Sequence, residues 1–292
     1  MERKKMHWRR QFERVSHVFR GHGICIAGAV AFLGYIIYEK KQKGIVYASW
    51  TTNFEPSVKW DNNWDRRDPE FLVKPLNESA TDDEKEEREK NKTKAIPTAT
   101  RHILMIRHGQ YYDDAKEDAA RILTPLGRDQ AELTGKRLLE MNLPFTKIIS
   151  STMARAIETS HTIHKFLPHL PLEQTDMLRE GAPIPPEPPI GGWRPEKNQF
   201  YEDGARIEAA FRKYFHRADA KQTSDSYEIL VCHANVIRYF ICRALQLPPE
   251  AWLRLSLNHG SITWITIRPT GRVSLLFLGE SGYMPIEKIS RM

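Results

Sequence analysis

Two short apolar runs in this chain lead into histidines. Ile103-Leu104-Met105-Ile106 is followed by Arg107 and His108, and Ile229-Leu230-Val231-Cys232 runs directly into His233. Four apolar residues in a row are too few for a helix and show no alternation toward solvent, so each run reads as a strand covered on both faces. Between and after them the pattern changes to helical spacing. Thr124-Pro125 opens a helix with a capping hydroxyl and a proline at the first helical position, followed by Gln130, Leu133, Leu138 and Leu139. Phe145–Ser150 reads as a second strand, Met153–Phe166 as a helix, Tyr227–Cys232 as a third strand and Val236–Leu245 as a helix. Ser261–Ile267 and Val273–Leu278 read as further strands. Strands alternating with helices predict an α/β fold around a largely parallel sheet, with right-handed crossovers placing helices on both faces. In such sheets, sites form beyond the carboxyl ends of the strands. Two strand-terminal histidines can then share one pocket, whereas a lone histidine there would more often be structural.

The charge of the chain points elsewhere. Its formal net charge is +7 on 292 residues, but residues 1–43 hold ten Lys/Arg against three Glu, and the remainder carries 34 of each sign. The excess belongs to the N-terminal arm, which argues against a globally basic nucleic-acid surface, and no nucleic-acid partner is expected. Within that arm Ile24–Tyr38 is uncharged and apolar. At ~1.5 Å per residue its fifteen residues make a helix of roughly 22 Å, short for a bilayer core of ~30 Å. Three readings compete: a cleaved secretory signal, a buried core helix and a short membrane anchor. The missing small-residue cleavage site disfavours the first, and the basic flanks disfavour the second. The expectation is therefore a basic targeting arm (1–20) and a single short anchor (21–40). Cys25, Cys232 and Cys242 include no C-x-x-C pair, so neither a disulfide framework nor a cysteine-rich zinc module is expected.

Residues 41–97 lack sustained periodicity and read as a linker. Trp60-Asp61-Asn62-Asn63-Trp64-Asp65 sets two tryptophans in a polar tract. Aromatic side chains are normally buried somewhere, so these pack back on the folded domain or meet another subunit. Residues 82–94 mix charges densely, as expected of a solvated helix or flexible spacer. Pro97 and Thr98 mark the expected start of the folded domain, 98–292.

From residue 101 onward, five motifs occur in order: LMIRHGQ (104–110), LTPLGRDQAELTG (123–135), STMARAIET (151–159), CHANVIRY (232–239) and LNHGSIT (257–263). Together they resemble the histidine phosphatase (phosphoglycerate mutase) superfamily over residues 101–290. LREGAPIPPEPP and EDGARIEAAFR, with the tryptophan-containing stretch, are closest to its mitochondrial serine/threonine protein phosphatases. The resemblance implies a three-layer sandwich with a mostly parallel central sheet, metal- and cofactor-free catalysis, and phosphorylated proteins as substrates. It implies His108 as nucleophile, Glu180 as general acid, His233 as second histidine, and Arg107, His108, Arg155 and His233 as phosphate ligands. It also implies self-assembly, dimeric and higher, through Trp60, Asp61, Asn63, Trp64 and Asp65, and anchoring to a mitochondrial membrane, the outer one favoured over the inner.

The chemistry of these residue types agrees. Arginine supplies planar, permanently charged, bidentate donors to phosphate. A neutral imidazole nitrogen can attack phosphorus and split one hard displacement into two. A serine or threonine alkoxide leaves poorly without a proton, which a carboxylic acid can donate. Glu187 and Glu202 are rival carboxylates near Glu180, and Pro183–Pro189 is expected to stiffen the pocket lip. His161 and His164 are expected at the surface of a helix. Ala234 stands where most of the superfamily has glycine. Two other readings stay open: a catalytically weak membrane scaffold, and a phosphatase or mutase acting on small molecules.

Overall fold

The computed structural model describes residues 56, 58–191 and 195–291. Trp60–Met292 form one compact unit. The expected basic arm (1–20), the anchor (21–40) and the start of the linker lie outside the described residues. Among the described residues no helix is long and apolar enough to cross a membrane.

The unit begins with two helices in the expected linker. α1 (Pro69–Leu72) is capped by the Asp68 carboxylate. α2 (Asp82–Ala95) starts at a Thr81/Glu84 capping box and buries no residue. Glu70 ties the pair together through Arg88 (2.5 Å) and Lys92 (2.6 Å). The charged tract 82–94 is thus a solvated helix, one of the two forms its composition allows.

The tryptophan-containing stretch lies on the domain of its own chain. Trp64 is buried against Phe211, ring centroids 5.9 Å apart, and its indole N–H donates to the Gly271 carbonyl at 2.8 Å. Asp65 is buried opposite Arg217, accepting from the Arg217 backbone N–H (2.7 Å) and guanidinium (3.2 Å). Asp61 and Gln246 exchange backbone and amide hydrogen bonds at 2.8 and 2.9 Å. Trp60 stays exposed. The compact unit therefore begins 38 residues before the start expected at 98.

Six strands follow: β1 (Arg101–Arg107), β2 (Phe145–Ser151), β3 (Leu172–Thr175), β4 (Ser226–Cys232), β5 (Ile262–Ile267) and β6 (Val273–Glu280), in the order β3-β2-β4-β1-β5-β6. β3, β2, β4 and β1 run parallel, while β5 and β6 are antiparallel additions. Four helices cover the sheet. α3 (Pro125–Met141) and α4 (Ala154–His164) pack on the face carrying Leu104, Ile106, Ile148, Ile229 and Val231. α5 (Lys197–Tyr214) and α6 (Ala234–Ala244) pack on the other, with Ile103, Met105, Leu230 and Cys232. Consecutive residues of β1 and β4 thus enter opposite cores, which is why both strands are apolar throughout. The result is the three-layer α/β sandwich expected.

The register sets up the site. Arg107 pairs with Cys232 across the central β1–β4 ladder, so His108 and His233 leave the sheet side by side.

Candidate active site

His108 is 2 % exposed and held from several sides. Its backbone N–H donates to the Cys232 carbonyl (3.0 Å), and its carbonyl accepts from Gly260 (3.2 Å). Its ring Nδ1 lies 2.8 Å from the Gly109 carbonyl. A carbonyl only accepts, so the network assigns the ring proton to Nδ1 and leaves a lone pair on Nε2. Arg155 Nε points at that Nε2 from 3.4 Å. Burial, helped by His233, Arg155 and Arg107, pushes the His108 pKa well below 6.5. The ring is neutral at physiological pH, the state a nucleophilic imidazole requires.

The loop that carries His108 is set against the start of α3. A Cβ at Gly109 would fall 2.3 Å from the Gly127 carbonyl oxygen, and one at Gly127 would fall 1.9 Å from that of Gln110. Only glycine at both positions permits this approach, so two motifs far apart in sequence share one contact. Gly109 N–H donates to Thr159 Oγ1 (3.1 Å) and Gln110 N–H to Gln130 Oε1 (2.8 Å).

Three more of the sequence-predicted residues converge here. Arg107 is 5 % exposed and donates to the Leu257 carbonyl at 2.7 Å, but its Nε has no partner. Burial, opposed mainly by the Glu180 carboxylate, lowers its pKa to about 10, so it remains a cation at neutral pH. Arg155, on the first turn of α4, is 3 % exposed, pairs with Asp118 at 3.3 Å and stacks over the Tyr111 ring at 4.6 Å. His233 caps α6, with its ring centroid 5.1 Å from that of His108 and its Nε2 2.8 Å from Ser151 Oγ. Its Nδ1 is buried without a partner. Burial, then Arg155 and Arg107, push its pKa well down, so the ring is held neutral. Ala234 is the first residue of α6 and buried, a helical position that alanine suits.

Glu180 follows a 3-10 turn (Asp176–Leu178) and is half-buried. Burial raises its carboxyl pKa above 4.5, against the opposing pull of the Gly181 N–H, Arg155, the Asn235 N–H and Arg107. Its Oε1 accepts the Gly181 N–H at 3.2 Å. Arg206 of α5 holds its loop, donating to the carbonyls of Met177 (3.2 Å), Arg179 (2.6 Å) and Glu180 (3.1 Å) while pairing with Asp203 (2.7 Å). The proline tract is tied down as well. Trp252 Nε1 donates to the Ile184 carbonyl (2.9 Å) and Arg254 Nε to that of Glu187 (3.0 Å).

Several working residues were not anticipated. Ser151 orients His233, Asp118 orients Arg155, Tyr111 walls both His108 and Arg155, and His259 lies 5.7 Å from His108 with Nδ1 against Ser290 Oγ. Ser151 opens the STMARAIET motif and ends β2, so motif and strand terminus were both signals for it. Tyr111 and Asp118 sit in an irregular loop with no periodicity to mark them. His161 is exposed on α4 as expected, while His164 is half-buried with its ring against the Leu170 carbonyl. Among the described residues no group of three or more His, Cys, Asp or Glu is placed to hold a metal ion. Buried Cys232 has its thiol pKa pushed up by desolvation, so it is no nucleophile.

Taken together, the site sets a neutral imidazole nitrogen, two buried guanidinium groups and a carboxyl of raised pKa around one strand-end pocket. That set suits attack on a phosphorus centre. Residues 103–182 and 187–278 match the histidine phosphatase superfamily (branch 1). The chain is 57% identical, over 83% of its length and 84% of the relative's, to the protein of Mus musculus named serine/threonine-protein phosphatase PGAM5, mitochondrial. The Homo sapiens protein of that name is 58% identical over 80% of each chain. A phosphoglycerate mutase crystal structure from Plasmodium falciparum is 32% identical, covers 67% of this chain and 100% of its own, and has a TM-score of 0.45.

Proposed function

This chain belongs to the histidine phosphatase superfamily, and we propose that it is a mitochondrial protein serine/threonine phosphatase working through a phosphohistidine at His108. The observation that carries the reading is the hydrogen bond from His108 Nδ1 to Gly109, which leaves a Nε2 lone pair beside Arg155 in a pocket lined with unpartnered donors.

The proposed sequence of steps is as follows. A phosphoserine or phosphothreonine side chain enters with its phosphoryl oxygens on Arg107, Arg155 and His233. The unpartnered Arg107 Nε and His233 Nδ1 are donors the dianion would satisfy. Its charge also raises the His233 pKa, favouring the imidazolium. His108 Nε2 attacks phosphorus while the bond to the serine or threonine oxygen breaks, and that oxygen takes the proton of Glu180. The charge developing on the equatorial oxygens meets the buried guanidinium groups of Arg107 and Arg155. Nδ1–H on the Gly109 carbonyl stabilises the phosphorylated imidazole. Glu180, now a carboxylate, takes a proton from water as it attacks phosphorus, releasing phosphate and restoring neutral His108.

The relatives are named as mitochondrial serine/threonine phosphatases, which supports both substrate class and compartment. We extend the reading to a membrane anchor at residues 21–40 and to self-assembly through Trp60–Asp65. The test uses full-length chain, wild type and His108→Ala, on phosphoserine and phosphothreonine peptides, with rapid quenching for acid-labile, base-stable phosphate on the protein. Turnover and trapped phosphate are both expected to vanish with His108. Equal rates in the two chains would remove His108 as nucleophile. Turnover of small phosphate esters without any phosphopeptide would exclude a protein substrate. Cell fractionation and light scattering test the anchor and the assembly.

A further inference from the structure

A groove of about 880 Å³ runs from the rim of the catalytic pocket along the outer face of α4. Its near end includes Thr152, Ala154 and Asp118. Asp118 is the residue that pairs with Arg155 and accepts the Ala154 N–H at 3.2 Å, so the wall of the phosphate pocket is also the mouth of the groove. We propose that this groove holds the polypeptide on one side of the phosphorylated residue, in extended form, and selects for an acidic side chain at its far end. The proposal rests on the protein-phosphatase reading above.

Length supports it. The groove follows Ala154, Ile157, His161 and Lys165, positions that repeat along one face of a helix. At ~1.5 Å per residue the eleven steps from Ala154 to Lys165 span about 16 Å. An extended chain rising ~3.3 Å per residue covers that with about five residues.

Composition supports it as well. Ile157, Ile122 and Ala119 supply apolar surface near the mouth, and Ile122 is 40% exposed. The charged residues beyond are not equivalent. Every carboxylate in the groove is already engaged. Asp118 is on Arg155, Glu158 bonds Arg128 (2.6 Å) and the Leu123 N–H (2.7 Å), and Glu132 pairs with Lys136 (2.7 Å). His161 and Lys165, four residues apart and exposed, form no ion pair with any described residue. The groove therefore offers apolar contact close to the phosphate and, about five residues away, the unpaired ammonium of Lys165. A chain carrying Asp or Glu there would complete it.

The test compares phosphothreonine peptides that carry glutamate or lysine four to six residues from the phosphate, on either side, with p-nitrophenyl phosphate, which reaches only the pocket. Full-length wild type is set against Lys165→Glu and Ile157→Lys. With Lys165→Glu, kcat/KM for the acidic peptide is expected to fall about fivefold and that for the lysine peptide to rise, while the ester changes less than about twofold, in keeping with one exposed charge pair. Ile157→Lys should raise KM for every peptide and spare the ester, whose turnover also reports that the variant is folded. Peptide and ester constants that move together, or a wild type indifferent to glutamate against lysine, would overturn the groove. A wild type that turns over the ester and no phosphopeptide would overturn the substrate class, and the groove with it.

Discussion

Ser151 Oγ stands 2.8 Å from Nε2 of His233. The same hydroxyl accepts the Met153 N–H at 3.3 Å, so its own proton is free to go to His233. With Ser151 as donor the imidazole proton sits on Nδ1, the nitrogen without a protein partner. Ser151→Ala removes the orienting group without touching phosphate. Loss of one such hydrogen bond at a buried site is expected to lower kcat/KM about tenfold, with circular dichroism unchanged. Steady-state assays on a phosphopeptide check it, and Ser151→Thr, which keeps the hydroxyl, should recover most of the loss. Undiminished turnover in the alanine variant would separate Ser151 from the chemistry.

The raised Glu180 pKa sets a pH dependence. In the proposed role of general acid Glu180 works while protonated, so leaving-group departure should weaken as pH rises through the raised value. Glu180→Gln should abolish that limb and lower kcat on phosphopeptides about a hundredfold or more, the usual scale of general acid–base catalysis. With p-nitrophenyl phosphate the leaving group needs little proton assistance, so the first step should be largely spared. Burst kinetics on that ester test this. Equal loss of the burst rate on both substrates would assign Glu180 to binding instead.

How far the sequence announces this arrangement depends on how locally each feature is encoded. β1 and β4 are legible because strands buried on both faces must be apolar throughout, and their ends locate Arg107, His108 and His233. β3 is not legible, since Glu173 and Gln174 of this edge strand face solvent and no apolar run marks it. The antiparallel course of β5 depends on its connection, which no residue within Ile262–Ile267 encodes. α5 is different, because Ile207, Ala210, Phe211 and Tyr214 bury one face at helical spacing, so the signal was present but went unread. Ser151, Asp118 and Gln130 act through partners 82, 37 and 20 residues away, and pairings at that range follow only from the folded topology.

The buried histidines make stability sensitive to acid. His108, His233 and His259 all have pKa values pushed below 6.5 by burial, that of His259 to about 3. Below pH 6.5 the unfolded chain binds protons that the folded chain refuses. Stability is therefore full above 6.5 and is lost as pH falls toward the depressed values, by at most about 1.4 kcal/mol per pH unit for each group. Thermal midpoints between pH 7.5 and 5 should fall steeply, and His259→Gln should flatten part of the slope. A parallel slope in wild type and variant would mean that His259 titrates normally.

Asp65 and Arg217 form a buried ion pair, with 0% and 2% of their side chains exposed. Removing Asp65 leaves Arg217 with Asp68 at 3.4 Å and the Asn62 carbonyl as partners, so the loss is expected at or below ~3 kcal/mol, the low end for a broken buried pair. Asp65→Asn should therefore lower the urea midpoint and release Trp64, seen as a red shift of tryptophan emission. If this segment also drives assembly, Trp60→Ala with Trp64→Ala lowers both particle size and specific activity. A chain of monomer size with full turnover would uncouple the two.

The glycine contact between the His108 loop and α3 offers the most local test. A Cβ at Gly127 meets the Gln110 carbonyl oxygen at 1.9 Å, a backbone atom that no side-chain rotation can move. Gly127→Ala must push the helix start away from the loop, breaking the bond from Gln110 N–H to Gln130 Oε1 and shifting His108. Gln130 also donates to the Lys288 carbonyl (2.7 Å) and Ser290 Oγ (2.9 Å), so the displacement reaches the C-terminal strap that holds His259. A misplacement of about 1 Å in a reacting atom can reduce turnover about a hundredfold. Gly127→Ala is thus expected to lose at least that much kcat on both phosphopeptide and ester. Gln130→Ala, which removes the bonds without the clash, should lose about tenfold, as for a single buried hydrogen bond. Ordering the other way, with the glutamine variant worse, would make the bond from Gln110 and not the close approach the element that fixes His108.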